Sequence, residues 1–172
     1  MRFRIPVMVV ALLALIGLSA PAASASAAPH MRPAASCADG PGPYHLEANS
    51  ARSLGLTYHG AGNQVTVTPS IGDTTLECVG PDTYVLHNNA GNCIRMTDAS
   101  NDYKVIEESG CNTSDTNYEW FGFDQGSGVI QFENAHFGEY LGTEHCIPGN
   151  GDGIEGVAPV TGQCINWVLG SR

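Results

Sequence analysis

A loop rich in acidic, amide and aromatic residues is the part of this sequence best suited to binding chemistry. It contains Asp98, Asn101, Asp102 and Tyr103, and Asn117 follows after the next strand-like segment. Carboxylate and amide groups can fix the hydroxyls of a sugar, and an aromatic ring can stack on its C–H face. These five residues are the predicted ligand-binding site. Because Asp and Asn are also what turns commonly use, a plain polar turn is the alternative interpretation.

The sequence lacks the patterns of the common catalytic and metal sites. Its six histidines form no H-E-x-x-H motif, and no G-x-S-x-G motif is present. The segment Asn150–Gly153 resembles part of a calcium loop but lacks the closing bidentate Glu. Glu107 and Glu108 are neighbours on a predicted strand, so they point to opposite faces and cannot share one cleft. We predict no catalytic residue, no metal and no cofactor, and therefore no enzyme.

Short apolar or β-branched segments separated by Gly, Asn and Asp dominate the chain after residue 44. This pattern is typical of strands with turns between them, and no apolar stripe with helical spacing extends over about 11 or more residues after the predicted signal. The 21 glycines agree with an all-β domain that has many turns. The predicted strand segments are Gln64–Thr68, Thr83–Leu86, Lys104–Ile106, Gly128–Phe132 and Glu139–Leu141.

The chain also repeats itself. Leu86-His87-Asn88 aligns with Phe132-Glu133-Asn134, and Trp120 aligns with Trp167 at nearly the same offset. Three lobes, over residues 44–78, 79–124 and 125–169, account for this pattern, although the first lobe has no Trp. The predicted core residues are Leu86, Ile94, Ile106, Trp120, Phe132, Leu141, Val157 and Trp167.

The segment 91–123 carries a family resemblance. Cys93 opens an apolar strand, Cys111 closes a second strand, and the motif Asn117-Tyr118-Glu119-Trp120 follows. This order resembles one lobe of the ricin-B-type β-trefoil family, with its G-x-C-L-D-V, V-x-L-x-x-C and N-Q-x-W motifs. The resemblance implies an all-β β-trefoil of three pseudo-repeats, in which three hairpins cap a six-stranded barrel.

The six cysteines indicate three disulfides in an exported chain. The family pattern implies Cys93–Cys111. The equal spacing of the last two cysteines suggests Cys146–Cys164, and Cys37–Cys78 then follows by elimination. A Cys78–Cys93 link is the alternative. The tryptophan and cysteine offsets disagree, so Cys146–Cys164 can also be a staple specific to the third lobe.

The family's sugar-binding residues are mostly replaced. The position of its acceptor Asp is Arg95, the position of its stacking aromatic is Ser109, and its Asn-Gln pair reads Asn117-Tyr118. The loop from Asp98 to Tyr103, reached by Asn117, is therefore predicted as a shifted site. The corresponding positions of the other lobes also lack the family's residues: Gly142 and Cys164-Ile165 in the third lobe, and the segment Ser53–Leu56 in the first.

The N-terminus has the pattern of a secretory signal. Arg2 and Arg4 precede the apolar run Ile5–Leu18, and Ala25-Ser26-Ala27 provides a cleavage site, with cleavage after Ala25 as the alternative. We predict a signal peptide over 1–27, a flexible arm over 28–42 and the β-trefoil domain over 43–172. The protein is expected to be secreted and extracellular, without a membrane span.

The formal net charge is −10, which disfavours nucleic acid as a partner. The predicted function is a secreted, non-enzymatic binding module whose partner is an extracellular glycan or a secreted or cell-surface protein. The alternatives are an adaptor subunit of a secreted assembly, docked through the arm Ala28–Ser36, and a trefoil protease inhibitor with a reactive loop at Gly149–Gly156.

Overall fold

The computed structural model describes residues 42–158 and 163–171, in which nearly all of the regular secondary structure is β-strand. The predicted signal peptide and nearly all of the predicted arm lie outside these residues. Short 3₁₀ helices occur at Ala99–Asn101, Thr116–Tyr118 and Gln163–Ile165. The strands are β1 (Tyr44–Ala48), β2 (Ala51–Thr57), β3 (Thr66–Thr68), β4 (Asp73–Gly80), β5 (Thr83–Asn88), β6 (Asn92–Met96), β7 (Val105–Ser109), β8 (Glu119–Gly126), β9 (Val129–Asn134), β10 (Tyr140–Thr143), β11 (Ile154–Val157) and β12 (Trp167–Ser171).

Six of these strands close into a barrel. β1 pairs with β4 and β12, β5 pairs with β4 and β8, and β9 pairs with β8 and β12, always antiparallel. A closed ring leaves none of its strands with an unpaired edge. The other six strands form the hairpins β2–β3, β6–β7 and β10–β11. A six-stranded barrel with three hairpins is a β-trefoil, so the predicted fold class is confirmed.

The three hairpins meet one another. Each is joined to its neighbours by a single antiparallel bridge between residues at the start of β3, β7 and β11. Loops from all three lobes are therefore brought together where these strands begin. The bridged pairs are Gln64 with Ile106, Thr66 with Gly153, and Lys104 with Glu155.

The second and third lobes repeat one core arrangement. The Trp120 indole N–H donates to the carbonyl oxygen of Ile94 at 3.5 Å, and the Trp167 indole N–H donates to that of Leu141 at 2.8 Å. Each bond spans 26 residues of chain. Both indoles are completely buried. The predicted alignment of the two tryptophans is therefore confirmed.

The first lobe solves the same packing problem without a tryptophan. Trp120 lies opposite Asn134 in the sheet, and Thr74 lies opposite Asn88, so Thr74 occupies the tryptophan position. Thr74 is buried, and its hydroxyl forms a 2.6 Å hydrogen bond with the Tyr58 hydroxyl. The ring of Tyr58 packs against the core from an adjacent loop. A smaller strand residue and a ring from a neighbouring segment together replace the indole.

Two predicted core residues are wrong. Ile106 and Val157 are only half-buried, because β7 and β11 turn Val105 and Ile154 inward instead. Side chains alternate along a strand, so an inward Val105 forces Ile106 outward and Glu107 inward. The other six predicted core residues are buried: Leu86, Ile94, Trp120, Phe132, Leu141 and Trp167.

Two predicted disulfides are confirmed. Cys93 is bonded to Cys111, and Cys146 is bonded to Cys164, which makes the alternative Cys78–Cys93 link wrong. Cys78 is also disulfide-bonded. Its predicted partner, Cys37, lies outside the described residues, so that pairing stays a prediction.

The two disulfides are not symmetry-related. Cys93 lies opposite His87 at the start of β6, and the residue in the same register at the start of β10 is Tyr140, opposite Glu133. The Cys146–Cys164 bond instead joins the loop after β10 to the 3₁₀ helix before β12. It is the lobe-specific staple that the tryptophan offset suggested.

Candidate functional site

The predicted acidic loop forms a single turn of 3₁₀ helix between β6 and β7. Asp98 caps it, because its carboxylate accepts hydrogen bonds from the backbone N–H and the hydroxyl of Ser100 at 3.1 and 2.6 Å. These bonds, chiefly the hydroxyl bond, lower the pKa of Asp98. The Asn101 amide also donates to Asp98, at 3.4 Å. Asp98 and Asn101 therefore shape the loop from within.

Tyr103 is held firmly in place. Both Asp102 and Tyr103 have left-handed backbone angles, with φ of 54° and 51°. The Tyr103 ring packs edge to face on Phe137, with ring centres 5.5 Å apart. Its carbonyl accepts a 2.8 Å hydrogen bond from the N–H of Gly156, where a Cβ atom would lie only 2.8 Å from that of Tyr103. The second and third lobes are thus locked together at Tyr103.

A cavity of about 680 Å³ opens between the lobes beside Tyr103, and we call it the interlobe cavity. Its volume is within the range of small-ligand pockets. Of the predicted site residues, Asp102 and Tyr103 line it, whereas Asp98, Asn101 and Asn117 do not. The described lining residues are Gln64 from the first lobe, Asp102, Tyr103 and Lys104 from the second, and Glu144, His145, Asp152, Gly153 and Glu155 from the third.

The interlobe cavity is rich in carboxylates. Partial burial raises the pKa of Glu155, and the nearby carboxylates of Glu144 and Asp102 raise it further, while His145 and Lys104 oppose this. Asp152 accepts a 2.7 Å hydrogen bond from the Gly149 N–H. The imidazole of His145 lies 3.7 Å from the same carboxylate oxygen. The cavity thus presents acceptor oxygens, an amide and one phenol ring.

Asn117 lies in a different setting. Its backbone carbonyl accepts a hydrogen bond from the Asn134 amide at 2.9 Å, and its N–H donates to Asp115 at 3.0 Å. Its side-chain oxygen is buried without a hydrogen-bond partner among the described residues. The 3₁₀ helix that carries Asn117 packs on β6. Asn117 therefore belongs to the packing between its 3₁₀ helix and the strands β6 and β9.

An ion pair occupies the position of the family's sugar site in the second lobe. Arg95 donates to the Glu108 carboxylate at 2.7 Å, and the Tyr118 hydroxyl donates to the other carboxylate oxygen, also at 2.7 Å. Arg95, and then Tyr118, lower the pKa of Glu108. Burial, and then Glu108, raise the pKa of Tyr118 to about 12. The groups that could have met sugar hydroxyls are bonded to one another.

A glycine occupies the same position in the third lobe, and a threonine occupies it in the first. Gly142 and Thr57 correspond to Arg95 in the hairpin registers and in the bridges between the lobes. A Cβ at Gly142 would lie 2.8 Å from a methyl of Val157, so no side chain fits there. The Thr57 hydroxyl forms a 2.8 Å hydrogen bond with the Thr68 hydroxyl, so it already has a partner within its hairpin.

Sequence reasoning missed most of the lining of the interlobe cavity. Gln64, Lys104 and Asp152-Gly153 each directly precede, or lie just before, the second strand of a hairpin. This shared position is the signal that could have grouped them, since the three hairpins of a trefoil converge. Using this signal requires the correct alignment of the third lobe with the second. The spacing of the cysteine pairs gives a wrong alignment there, whereas the two tryptophans give the right one.

The described residues contain neither a metal-binding cluster nor a helix suited to crossing a membrane. No group of three or more His, Cys, Asp or Glu side chains there is arranged to hold a metal ion. Within the same part of the chain, none of the helices has the length and apolar character needed to cross a membrane.

Comparisons with known proteins support the fold. No protein-family model matches the sequence, and no curated protein matches it either. A designed threefold-symmetric protein, ThreeFoil, is similar in structure, with a TM-score of 0.67 and 21% identity over 75% of this chain and 98% of its own. A Polyporus squamosus lectin bound to a human-type influenza-binding epitope has a TM-score of 0.61 and 20% identity, over 76% of this chain and 49% of the lectin chain. A proteinase inhibitor from Coprinopsis cinerea has a TM-score of 0.59 and 14% identity, over 77% of this chain and 98% of the inhibitor chain. At these identities, the likeness concerns the β-trefoil fold alone.

Proposed function

We propose that this protein is a secreted, non-catalytic glycan-binding module whose ligand occupies the interlobe cavity. The observation that carries the proposal is the meeting of Asp102 and Tyr103 with third-lobe carboxylates around one concavity of ligand size. Carboxylates accept hydrogen bonds from sugar hydroxyls, and a fixed ring offers a stacking face. The two disulfides agree with export, because such bonds persist in oxidising compartments.

The family-type lobe positions are poor candidates for the same role. Arg95 and Glu108 would have to separate before either could bind a sugar, which leaves a charged group unpaired. Gly142 offers no side chain, and the Thr57 hydroxyl is bonded to that of Thr68. We therefore expect galactose and lactose to give no heat in titration calorimetry.

A glycan array followed by titration calorimetry of the best ligand tests the proposal. Tyr103→Ala and Asp102→Ala are expected to weaken binding at least tenfold, because they remove the ring and an acceptor from the cavity. Asn101→Ala is the matched control, since Asn101 belongs to the same loop but does not line the cavity. A ligand whose affinity falls with Arg95→Ala and not with Tyr103→Ala would place binding in the second-lobe position and contradict the proposal.

A protein partner is the second candidate, and one observation favours it. Ile147 is 77% exposed, the highest value among the large apolar side chains of the described residues. It follows the disulfide-bonded Cys146 and precedes the buried Pro148, so its loop is held at both sides. A rigid loop that presents an apolar side chain loses little entropy on binding.

This candidate includes the adaptor and the protease-inhibitor alternatives. Ile147→Ser removes the apolar contact and is expected to abolish capture of a protein partner from culture medium while leaving glycan binding unchanged. Protease inhibition that survives Ile147→Ser would instead assign the reactive segment to the neighbouring loop 149–156.

A further inference from the structure

The charges around the interlobe cavity are strongly unbalanced. Among the described residues that line it, Asp102, Glu144, Asp152 and Glu155 are acidic, whereas Lys104 is the one lysine of the whole chain. His145 adds a second cation only when it is protonated. A concave site lined mainly by charges of one sign raises the local concentration of counter-ions. The cavity should therefore concentrate cations and repel anions.

The behaviour of Glu155 agrees with this imbalance. Its pKa is raised by burial and by two neighbouring carboxylates, even though His145 and Lys104 act in the opposite direction. The existing cations therefore do not neutralise the acidic lining. A ligand that brings a positive charge would relieve the repulsion between the carboxylates, whereas a neutral sugar would leave it unchanged.

The lining also has features that a plain acidic surface lacks. The cavity has room for a sugar ring, and Tyr103 is fixed at its wall by Phe137 and by the backbone bond from Gly156. The Gln64 side chain, from the first lobe, donates to the Ile154 carbonyl at 3.1 Å and is thereby held at the cavity. A ring, an amide and carboxylates around one open concavity are suited to a sugar that carries an ammonium group.

We propose that the interlobe cavity is selective for glycans that contain a free, protonated amino group, such as oligomers of glucosamine. This selectivity rests on the proposed glycan-binding function. The ammonium group pairs with the acidic lining, Glu155 above all, and the sugar ring lies against Tyr103. The N-acetylated form of the same glycan loses the charge, and a uronic acid reverses it, so both bind more weakly.

Titration calorimetry with three probes tests this selectivity. The probes are a glucosamine tetramer, the N-acetylglucosamine tetramer and a galacturonic acid tetramer. The titrations are run at about pH 6, because the oxygens beside the glucosamine amino group make it more acidic than a lysine amine, and at this pH most of these groups are protonated while carboxylates are ionised. We expect the glucosamine tetramer to bind at least tenfold more tightly than the acetylated one, and the uronic acid not to bind. Higher salt should weaken the first interaction, because it screens the charge pairing.

Charge-neutralising variants locate the effect. Glu155→Gln and, separately, the exposed Glu144→Gln should reduce the preference for the glucosamine tetramer, with the protein otherwise folded. Glu108→Gln is the matched control, because it removes the same charge outside the cavity, where Glu108 is paired with Arg95. A preference that falls equally in all three variants would reflect the net charge of the protein and would overturn the proposal.

The remaining outcomes separate this proposal from the proposed function. Equal affinity for the acetylated and deacetylated tetramers, lost in Tyr103→Ala, would overturn the selectivity and leave glycan binding at the cavity intact. No binding of any glycan would overturn both. Binding of a lysine tetrapeptide without binding of the glucosamine tetramer would also overturn the proposal, because the cation recognised would then belong to a protein.

Discussion

The second and third lobes share one interior and differ in almost everything around it. Both bury a tryptophan that bonds to a carbonyl 26 residues earlier. Both also end a barrel strand with an asparagine, Asn88 or Asn134, whose side-chain oxygen accepts hydrogen bonds from the backbone of the following turn. These elements lie inside the barrel in both lobes, whereas the first lobe fills the tryptophan position with Thr74 and Tyr58.

The outer hairpins of the same two lobes have no such constraint. At matching registers, β6–β7 carries Arg95 and Glu107, whereas β10–β11 carries Gly142 and Gly156. Gly156 allows the close approach of Tyr103, and that approach forms one side of the interlobe cavity. The difference between the hairpins, and not the repeated core, therefore creates the candidate site.

Removing either tryptophan tests whether the two interiors are equivalent, and it has the largest expected effect. We expect Trp120→Ala and Trp167→Ala each to lower the free energy of unfolding by about 3–5 kcal/mol, because each leaves a large cavity in the shared core. Chemical denaturation monitored by circular dichroism measures this. A loss confined to one variant would contradict the equivalence.

The tryptophan result also has a conservative control. Trp120→Phe and Trp167→Phe keep most of the apolar burial and remove the indole N–H. Because the Trp167 bond is shorter, at 2.8 Å against 3.5 Å, we expect the Trp167 variant to lose more stability, by up to about 1 kcal/mol.

The comparison of the lobes also explains which features the sequence could predict. Strand patterns and the Trp repeat depend on local alternation and on burial, so the all-β class, the repeated lobes and six of the eight core residues followed from them. The β-trefoil followed from the family resemblance. The disulfide Cys93–Cys111 followed from the family resemblance. These features are set by residues within one lobe.

Features that depend on strand register or on contacts between lobes were harder to predict from the sequence. Val105 and Ile106 are equally apolar, so only the paired strands decide that Ile106 faces outward and Glu107 inward. The cavity unites residues from all three lobes, more than 90 positions apart in the case of Gln64 and Glu155. The polar loop was predicted as a site, but its contribution to the cavity is limited to Asp102 and Tyr103 among the predicted residues.

Glu107 and Glu108 provide a sharper comparison within one strand. Glu107 is completely buried and accepts hydrogen bonds from the N–H groups of His59 and Gly60 and from the amides of Asn88 and Asn92, at 2.6–2.9 Å. Glu107→Gln keeps the shape but turns an NH₂ group toward these donors. We expect it to cost about 3 kcal/mol in unfolding experiments, because buried donors lose their acceptor.

Glu108→Gln is the matched control on the opposite face of β7. Its carboxylate is about one-third exposed, and it loses only the partly screened pairing with Arg95 and the bond from Tyr118. We expect a cost below about 1 kcal/mol. Equal costs at the two positions would mean that Glu107 does not join the first lobe to the second as described.

The smallest expected effect concerns pH and the ion pair of the second lobe. Arg95 and Tyr118 lower the pKa of Glu108 below its usual value of 4.5, so the folded protein binds a proton at this group less readily than the unfolded chain. The stabilisation from Glu108 is therefore present above pH 4.5 and is lost as the pH falls through the lowered pKa.

The third lobe has Gly142 in place of Arg95 and has no matching pair. The loss should be below about 1 kcal/mol, since solvent screens the pair, and Glu108→Gln should remove it from the pH profile of the melting temperature. A profile that is unchanged by Glu108→Gln would show that the ion pair contributes nothing in solution, and the second-lobe position would then be open to ligands.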